Sequence, residues 1–230
     1  MANKIGNSYQ PYENFGYLCR KVRSVRENYI VSARKYRPLT FDSVVGQRAL
    51  TTTLKNAIAS GKLAHAYLFC GPRGVGKTTC ARIFARTINC LTPTETGEAC
   101  GNCESCKAFE QQRSFNIHEL DAASNNSVED IRSLIEQVRM PPQVGRYKVF
   151  IIDEVHMLST AAFNAFLKTL EETPSSAIFI LDTTEKHKIL PTILRRCQIY
   201  DLHRMGICLF YKSDAAGEEN RINKRGSRIK

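Results

Sequence analysis

Through the middle of the chain, short apolar runs alternate with stretches whose apolar residues recur every three or four positions. Tyr67 to Cys70, Val149 to Ile152 and Ala177 to Leu181 are apolar at every position. Runs of that length without alternation fit strands buried on both faces. Thr79 to Ile88 carries Ala81, Ile83, Phe84 and Ala85 at helical spacing. Ala161 to Glu172 sets Phe163, Phe166, Leu167 and Leu170 on one helical face, more simply read as core than as a partner site, and Pro174 follows its end. Asn116 to Leu120 reads as a further strand ending in Asp121-Ala-Ala-Ser-Asn-Asn126, and Val128 to Val138 as a helix closed by Pro141 and Pro142. Strands alternating with helices predict a doubly wound α/β sheet with parallel strands, whose chemistry lies at the C-terminal strand ends.

Charge changes this picture less than its total suggests. The chain of 230 residues has 33 Lys and Arg against 22 acids, a net charge of +11. Residues 1–26 carry five basic residues against one Glu and residues 206–230 six against three acids, which leaves only +4 on 27–205. Bulk charge is therefore weak evidence for nucleic-acid binding by the folded part. With 43% hydrophobic and 24% charged residues the chain can bury a proper core. It has no apolar run of about eighteen residues and no N-terminal leader pattern, so no membrane span is expected and the cytoplasm is the expected compartment. Nine cysteines in that compartment stay reduced, which favours metal binding or plain burial over disulfides.

The first strand runs into Gly71-Pro-Arg-Gly-Val-Gly-Lys77-Thr78, the G-x-x-x-x-G-K-[ST] pattern in its strand-to-helix setting. Such a loop wraps phosphates in backbone N–H groups at a helix N-terminus, with Lys77 reaching the terminal oxygens and the Thr78 hydroxyl ligating Mg²⁺. The candidate nucleotide contacts are Gly71, Pro72, Arg73, Gly74, Val75, Gly76, Lys77, Thr78 and Thr79. A glycine-rich turn with an exposed lysine is the bland alternative, and the flanking strand and helix argue against it. The second strand delivers Asp153 and Glu154 to its C-terminal end, where Asp153 would join the Mg²⁺ shell and Glu154 would polarise an attacking water. Acids that end a strand are often only a solvated turn, a reading the neighbouring P-loop weakens. If the third strand runs parallel to the others, Thr184 at its end is the candidate sensor of the terminal phosphate.

Five segments together, Ala33 to Gln47, Gly71 to Cys90, the cysteine run Cys90 to Cys106, Ile151 to Glu172 and Lys188 to Tyr200, closely resemble the gamma/tau subunit family of the bacterial DNA polymerase III clamp loader, which are AAA+ ATPases. The likeness covers 27–205 in one colinear run and implies a P-loop AAA+ three-layer sandwich with a parallel sheet and an inserted zinc knuckle at 90–106. It implies that the segment holding Tyr36, Arg37, Pro38 and Val45, through to Gln47, packs near the adenine and ribose. Arg196 resembles the arginine finger that acts in trans on ATP held by a neighbouring subunit, which brings oligomerisation with it. The implied function is ATP binding and hydrolysis in DNA replication, loading the sliding clamp onto primer-template DNA beside other clamp-loader subunits. The family is catalogued with DNA-directed DNA polymerase, a nucleotidyltransferase, although no polymerase carboxylate constellation is visible in this chain. The alternative from another class is a non-hydrolysing nucleotide- and zinc-binding interaction module.

Cys90, Cys100, Cys103 and Cys106 follow the spacing C-x9-C-x2-C-x2-C. Four thiolates can close a tetrahedral Zn²⁺ site with no open position, so the site would be structural. Reduced free thiols and an iron–sulfur cluster are the competing readings, the latter disfavoured by spacing. The resemblance makes the knuckle a surface module inserted after the P-loop helix, and leaves His118 and His156 as polar or packing residues rather than ligands.

Departures from the family pattern carry expectations of their own. Asp182 stands where the family usually has Ala, and an acid there would repel a γ-phosphate unless it points away. Arg195 stands where Ser is usual and puts a second cation beside Arg196. Residues 1–26 have no family counterpart and are expected to be a disordered extension. From Gly206 the apolar residues cluster in Ile207 to Tyr211, followed by a mostly polar and basic tail, which is expected to be disordered. The lid domain, with its sensor arginine, and the collar domain are expected to be absent, leaving a monomeric fragment that binds ATP weakly and hydrolyses it little.

Overall fold

The computed structural model describes residues 37–204. The expected extension 1–26, the expected tail 206–230 and Tyr36 all lie outside the described residues. The chain forms α1 (Arg48–Ala59), β1 (Ala66–Cys70), α2 (Lys77–Ile88), α3 (Glu104–Glu110), β2 (Ile117–Asp121), α4 (Val128–Val138), β3 (Lys148–Asp153), α5 (Thr160–Glu171), β4 (Ala177–Thr183), α6 (Pro191–Leu194) and β5 (Gln198–Asp201). Short 3₁₀ turns at Val155–Met157 and Lys186–Lys188 follow β3 and β4.

All five strands are parallel, in the order β2-β3-β4-β1-β5. Every position of β1 and β4 is buried, as is β3 up to Asp153, which accounts for their uninterrupted apolar runs. Side-chain parity then divides the core in two. Ala66, Leu68, Phe150, Ile152, Phe179 and Leu181 point to one face and pack with Ile131 and Leu134 of α4 and Phe163, Phe166 and Leu170 of α5. Tyr67, Phe69, Val149, Ile151, Ile178 and Ile180 point to the other, against Leu50 and Leu54 of α1 and Cys80, Ala81 and Phe84 of α2. Helices on both faces of a parallel sheet make the expected three-layer P-loop α/β fold. Among the described residues no helix is long and apolar enough to cross a membrane.

Local chemistry fixes the helix starts. Ser127 caps α4 in a reciprocal box with Asp130, its hydroxyl accepting from Asp130 N at 3.2 Å. Ser159 caps α5 by accepting from Ala162 N at 3.3 Å, so that helix begins at Thr160, one residue before the sequence pattern suggested. β4 continues two residues past Leu181, because Asp182 and Thr183 are fully buried and lie opposite Phe69 and Cys70 of β1. β5 has no apolar run to announce it, being Gln-Ile-Tyr-Asp, yet it pairs with the free edge of β1 from Tyr67 to Cys70.

The register brings the C-terminal ends of β1, β3 and β4 to one edge of the sheet, with Cys70 opposite Thr183 and Ile152 opposite Leu181. Phe179 holds the α5 side of this arrangement. Its ring lies 5.5 Å from Phe150 in a stacked pair and 5.2 Å from Phe166 edge-on. We expect Phe179→Ala to lower the unfolding free energy by about 3–5 kcal/mol in urea melts. A loss below about 1 kcal/mol would show that the aromatic stack is not a main contributor to the core.

Candidate functional site

Gly71 leaves β1 with its N–H donating to Thr183 O at 3.2 Å. A Cβ at Gly71 would lie 2.4 Å from the carbonyl oxygen of Leu202, so only glycine fits the start of this loop. Gly76 ends it in a left-handed conformation, φ 96°, and lets α2 begin at Lys77, two residues earlier than the apolar spacing implied. Thr79 therefore lies within the first turn of α2, while Pro72, Arg73 and Gly74 are exposed on the loop and Val75 is half-buried.

Lys77 is 5% exposed and its Nζ donates one long hydrogen bond, 3.4 Å to Pro72 O, with Glu154 Oε1 at 3.9 Å. An ammonium has three protons to give, so this one is buried and incompletely satisfied, which suits an anionic oxygen placed in the loop. Thr78 Oγ1 stands 3.2 Å from Asp153 Oδ2 and 3.0 Å from Asp182 Oδ2. Ligand oxygens of Asp153, Glu154 and Asp182 all lie within 4.8 Å of one another.

Glu154 is held in the left-handed region, φ 51°, a conformation costing a non-glycine residue roughly 1–2 kcal/mol. Its N–H donates to Asp182 Oδ1 at 3.2 Å, and its Oε2 accepts from both the N–H and the hydroxyl of Thr184, each at 3.0 Å. The sensor candidate thus contacts the water-polarising candidate directly. His156 completes this corner. Its Nδ1 lies 3.0 Å from Thr183 Oγ1 and 3.4 Å from Glu154 Oε2, and its Nε2 lies 3.5 Å from Glu185 Oε1. His156, expected as a polar or packing residue rather than a ligand, takes the polar role, set between the carboxylates of Glu154 and Glu185. No local pattern signals this, since Thr183 is 27 residues away. His118 stacks on Phe150 with ring centroids 5.2 Å apart.

Asp182 does not point away from the site, as the repulsion argument required. It is fully buried and faces the Thr78 hydroxyl together with Asp153. Burial, then its hydrogen bond with Asp153 and that neighbour's charge, pushes its carboxyl up to about 8. The raised value favours a proton on Asp182, where two carboxylates face one hydroxyl.

Arg196 is not brought to this P-loop. Its guanidinium donates to Thr192 O at 3.0 Å and pairs with Glu171 Oε1 at 2.7 Å on the surface, and Arg195 beside it is exposed. Of the segment expected near the base, Pro38 is half-buried, Val45 is 49% exposed and Arg37 is half-buried. Gln47 is buried and donates from Nε2 to His203 O at 2.6 Å.

The four cysteines converge, their sulfurs all within 4.8 Å and Cys90 Sγ 4.0 Å from Cys103 Sγ. Tetrahedral Zn–S bonds of about 2.3 Å imply S···S separations of about 3.8 Å, so the cluster fits a metal with little adjustment. Cys100 Sγ accepts from the Thr92 hydroxyl at 3.2 Å, Cys103 N at 3.3 Å and Asn102 N at 3.4 Å, and these three donors, Thr92 first, lower its thiol to about 6. Burial raises the Cys106 thiol to about 12. Cys90 sits just beyond α2, and Cys103 and Cys106 open α3. The expected surface module is thus anchored on the P-loop helix.

A group whose folded pKa exceeds its unfolded value contributes stability below the unfolded pKa and loses it as pH rises through the folded one. For Asp182 that window runs from the ordinary carboxylate range to about 8. In urea melts with EDTA, Asp182→Asn should match the wild type within about 0.5 kcal/mol near pH 3.5 and exceed it by on the order of 1–3 kcal/mol near pH 9. A gap independent of pH would mean that Asp182 ionises as an ordinary carboxylate.

A family model described as DNA polymerase III, delta subunit, matches residues 46–206. The DNA polymerase III subunit tau of Bacillus subtilis is 51% identical over 178 residues, covering 77% of this chain and 31% of that protein. The subunit tau/gamma of Haemophilus influenzae is 52% identical over 175 residues, 76% of this chain and 25% of that one. The subunit tau of Escherichia coli is 49% identical over 180 residues, 78% and 28%. The chain thus spans between 25% and 31% of the length of these three relatives. Among solved structures, a DNA polymerase III gamma subunit-related protein of Thermotoga maritima aligns at 22% identity and a TM-score of 0.45, covering 66% of this chain and 45% of that one. A RuvB variant from the same organism aligns at 21% identity and 0.49, covering 73% and 48%. The model match across most of the chain shows that this protein belongs to the DNA polymerase III delta-subunit family, and relatives it matches at about half identity are tau and tau/gamma subunits.

Proposed function

We propose that this chain binds ATP with Mg²⁺ at the shared strand edge and hydrolyses it as part of a clamp loader, in the cytoplasm. The observation that carries the reading is the buried, incompletely satisfied Lys77 ammonium, at the mouth of a loop whose neighbours are a hydroxyl and three carboxylates. Lys77 and the loop N–H groups would bind the phosphates. Thr78 and Asp153, 3.2 Å apart, would hold Mg²⁺, which supplies charge neutralisation for phosphoryl transfer. Glu154 would orient the attacking water, with Thr184 fixing its carboxylate. The segment from Tyr36 to Gln47, including Arg37, Pro38 and Val45, would line the base and ribose.

The partners proposed are other clamp-loader subunits, a sliding clamp and primer-template DNA, with the ATPase domain taken as 27–205. Arg196 would serve a neighbouring subunit's nucleotide. Its present pairing with Glu171 is a partly exposed one, worth about 0–1 kcal/mol, so release toward a neighbour costs little. The four-cysteine cluster is proposed to hold one structural Zn²⁺ through Cys90, Cys100, Cys103 and Cys106, and the donor set and its S···S spacing support that.

Titration with a fluorescent ATP analogue in Mg²⁺ tests the reading. Lys77→Ala should weaken binding by about tenfold or more, about 1.4 kcal/mol, and undiminished affinity would remove the phosphate-loop assignment. Glu154→Gln should bind within about twofold of wild type while turnover in an assembly with partner subunits, clamp and primed DNA falls at least about a hundredfold. Equal turnover would take Glu154 out of the mechanism. Elemental analysis of chelator-free protein should return one zinc per chain; a folded, metal-free preparation would favour free thiols.

A further inference from the structure

The turn between the first two cysteines carries a carboxylate that no role described so far requires. Glu98 is 6% exposed, and both its oxygens are used. Oε2 accepts from Phe41 N at 3.1 Å, while Oε1 accepts from Asp42 N at 3.3 Å and meets Lys55 Nζ at 2.8 Å. The turn that presents it is closed on itself, with Thr94 N donating to Glu98 O at 2.9 Å and Glu98 N donating to Thr94 Oγ1 at 3.1 Å. Two residues later Cys100 enters the sulfur cluster, its N–H donating to Cys90 Sγ at 3.3 Å.

From the other side comes Arg86, in the last turn of α2 and 7% exposed. Its Nη1 donates to Leu39 O at 3.4 Å, its Nη2 lies 3.1 Å from where a Cβ of Gly101 would stand, and its guanidinium opposes the rise that burial imposes on the Cys106 thiol. Its Nε is buried without a partner. Four thiolates around a divalent cation leave two negative charges, and a buried guanidinium is the natural counter-charge. Residues 39–42 are therefore gripped twice by the cysteine loop and its supporting helix.

That short segment leads to the phosphate loop. Phe41 is 1% exposed and packs in the cluster that contains Phe84 of α2 and Leu202. Gln47 holds His203 O, Leu202 N donates to Cys70 O at 2.7 Å, and Leu202 O occupies the space a Cβ on Gly71 would need. We propose that Glu98 and Arg86 are positioning residues through which metal binding at the four cysteines fixes residues 39–47 and, with them, the entrance of the phosphate loop. The inference rests on the nucleotide-binding reading only for its last link. Metal loss frees the turn that presents Glu98, and a carboxylate that no longer reaches Phe41 N leaves that buried amide without an acceptor.

Hydrogen exchange on the full chain, zinc-loaded and chelated, with metal content measured on the same samples, tests the coupling without nucleotide. In wild type, metal removal should speed exchange in 39–47 by about tenfold or more and leave 128–153 unchanged. Zinc-loaded Glu98→Ala should already show the fast exchange and gain little on chelation, while Glu98→Gln, which keeps one acceptor oxygen, should fall between. Nucleotide affinity should drop about three- to tenfold in step with exchange, and Arg86→Met should lose both zinc affinity and slow exchange at 39–47. Unchanged exchange at 39–47 after confirmed metal loss overturns the proposal. So does a chelation effect in Glu98→Ala as large as in wild type. If the zinc-loaded wild type binds no nucleotide, the nucleotide reading fails instead, and the exchange data still decide the coupling.

Discussion

A hydroxyl has one proton, and at Thr78 two carboxylates compete for it. Much of the site follows from that shortage. Asp153 and Asp182 arrive from adjacent strands β3 and β4, the Thr78 hydroxyl from the first turn of α2, and none can retreat because the strands are locked in register and the helix is fixed by Gly76. Two carboxylates facing each other in a buried space are costly even with Lys77 nearby, and burial with Asp153 beside it raises the Asp182 carboxyl to about 8. The same parallel register that creates the conflict also creates the function, since only parallel strands deliver three polar ends to one edge.

Much of this edge was legible in the sequence. Unbroken apolar runs identified β1, β3 and β4, because a strand covered on both faces has no polar side to show. Glycine spacing identified the loop between β1 and α2, because its backbone conformations admit little else at Gly71 and Gly76. β5 and α1 left no such trace. β5 is half-exposed and exists because β1 has an edge to fill, while α1 buries only Leu50, Thr51 and Leu54. Legibility fails where a residue's role is set by partners distant in sequence. Glu98 meets Phe41 across 57 positions and Asp182 meets Thr78 across 104, and neither contact has a local periodicity to betray it. His156 shows the same limit: the sequence leaves it a polar or packing residue, and only the fold sets Thr183 and Glu185 around it.

The orientation of Glu154 shows how the site stores its geometry. A left-handed backbone at a residue with a long side chain persists only where neighbours over-determine it. Here the N–H is held by Asp182 and the carboxylate by the backbone and hydroxyl of Thr184, with His156 behind. The acid is thereby turned toward Lys77 rather than into solvent. Any anion that draws Lys77 forward must loosen its long contact with Pro72 O and shift the balance at Glu154, so the proposed phosphate binding would be mechanically joined to the aim of the carboxylate.

Asp182 makes that join sensitive to what occupies the site. With no cation present, its burial opposes folding as soon as it ionises, and the neutral form is the stable one. A divalent ion held as proposed by Thr78 and Asp153 would reverse the preference, because a third carboxylate within 4.8 Å would attract it rather than repel its neighbours. The residue that weakens the fold at high pH would then be one that strengthens it with the ion bound. A chain with alanine at this position would have neither effect. Its empty state would gain stability and its grip on the cation would rest on Asp153 and Thr78 alone. On the proposed reading, the extra acid would therefore widen the free-energy difference that cation binding makes, which is the quantity that would couple binding to the rest of the sheet edge.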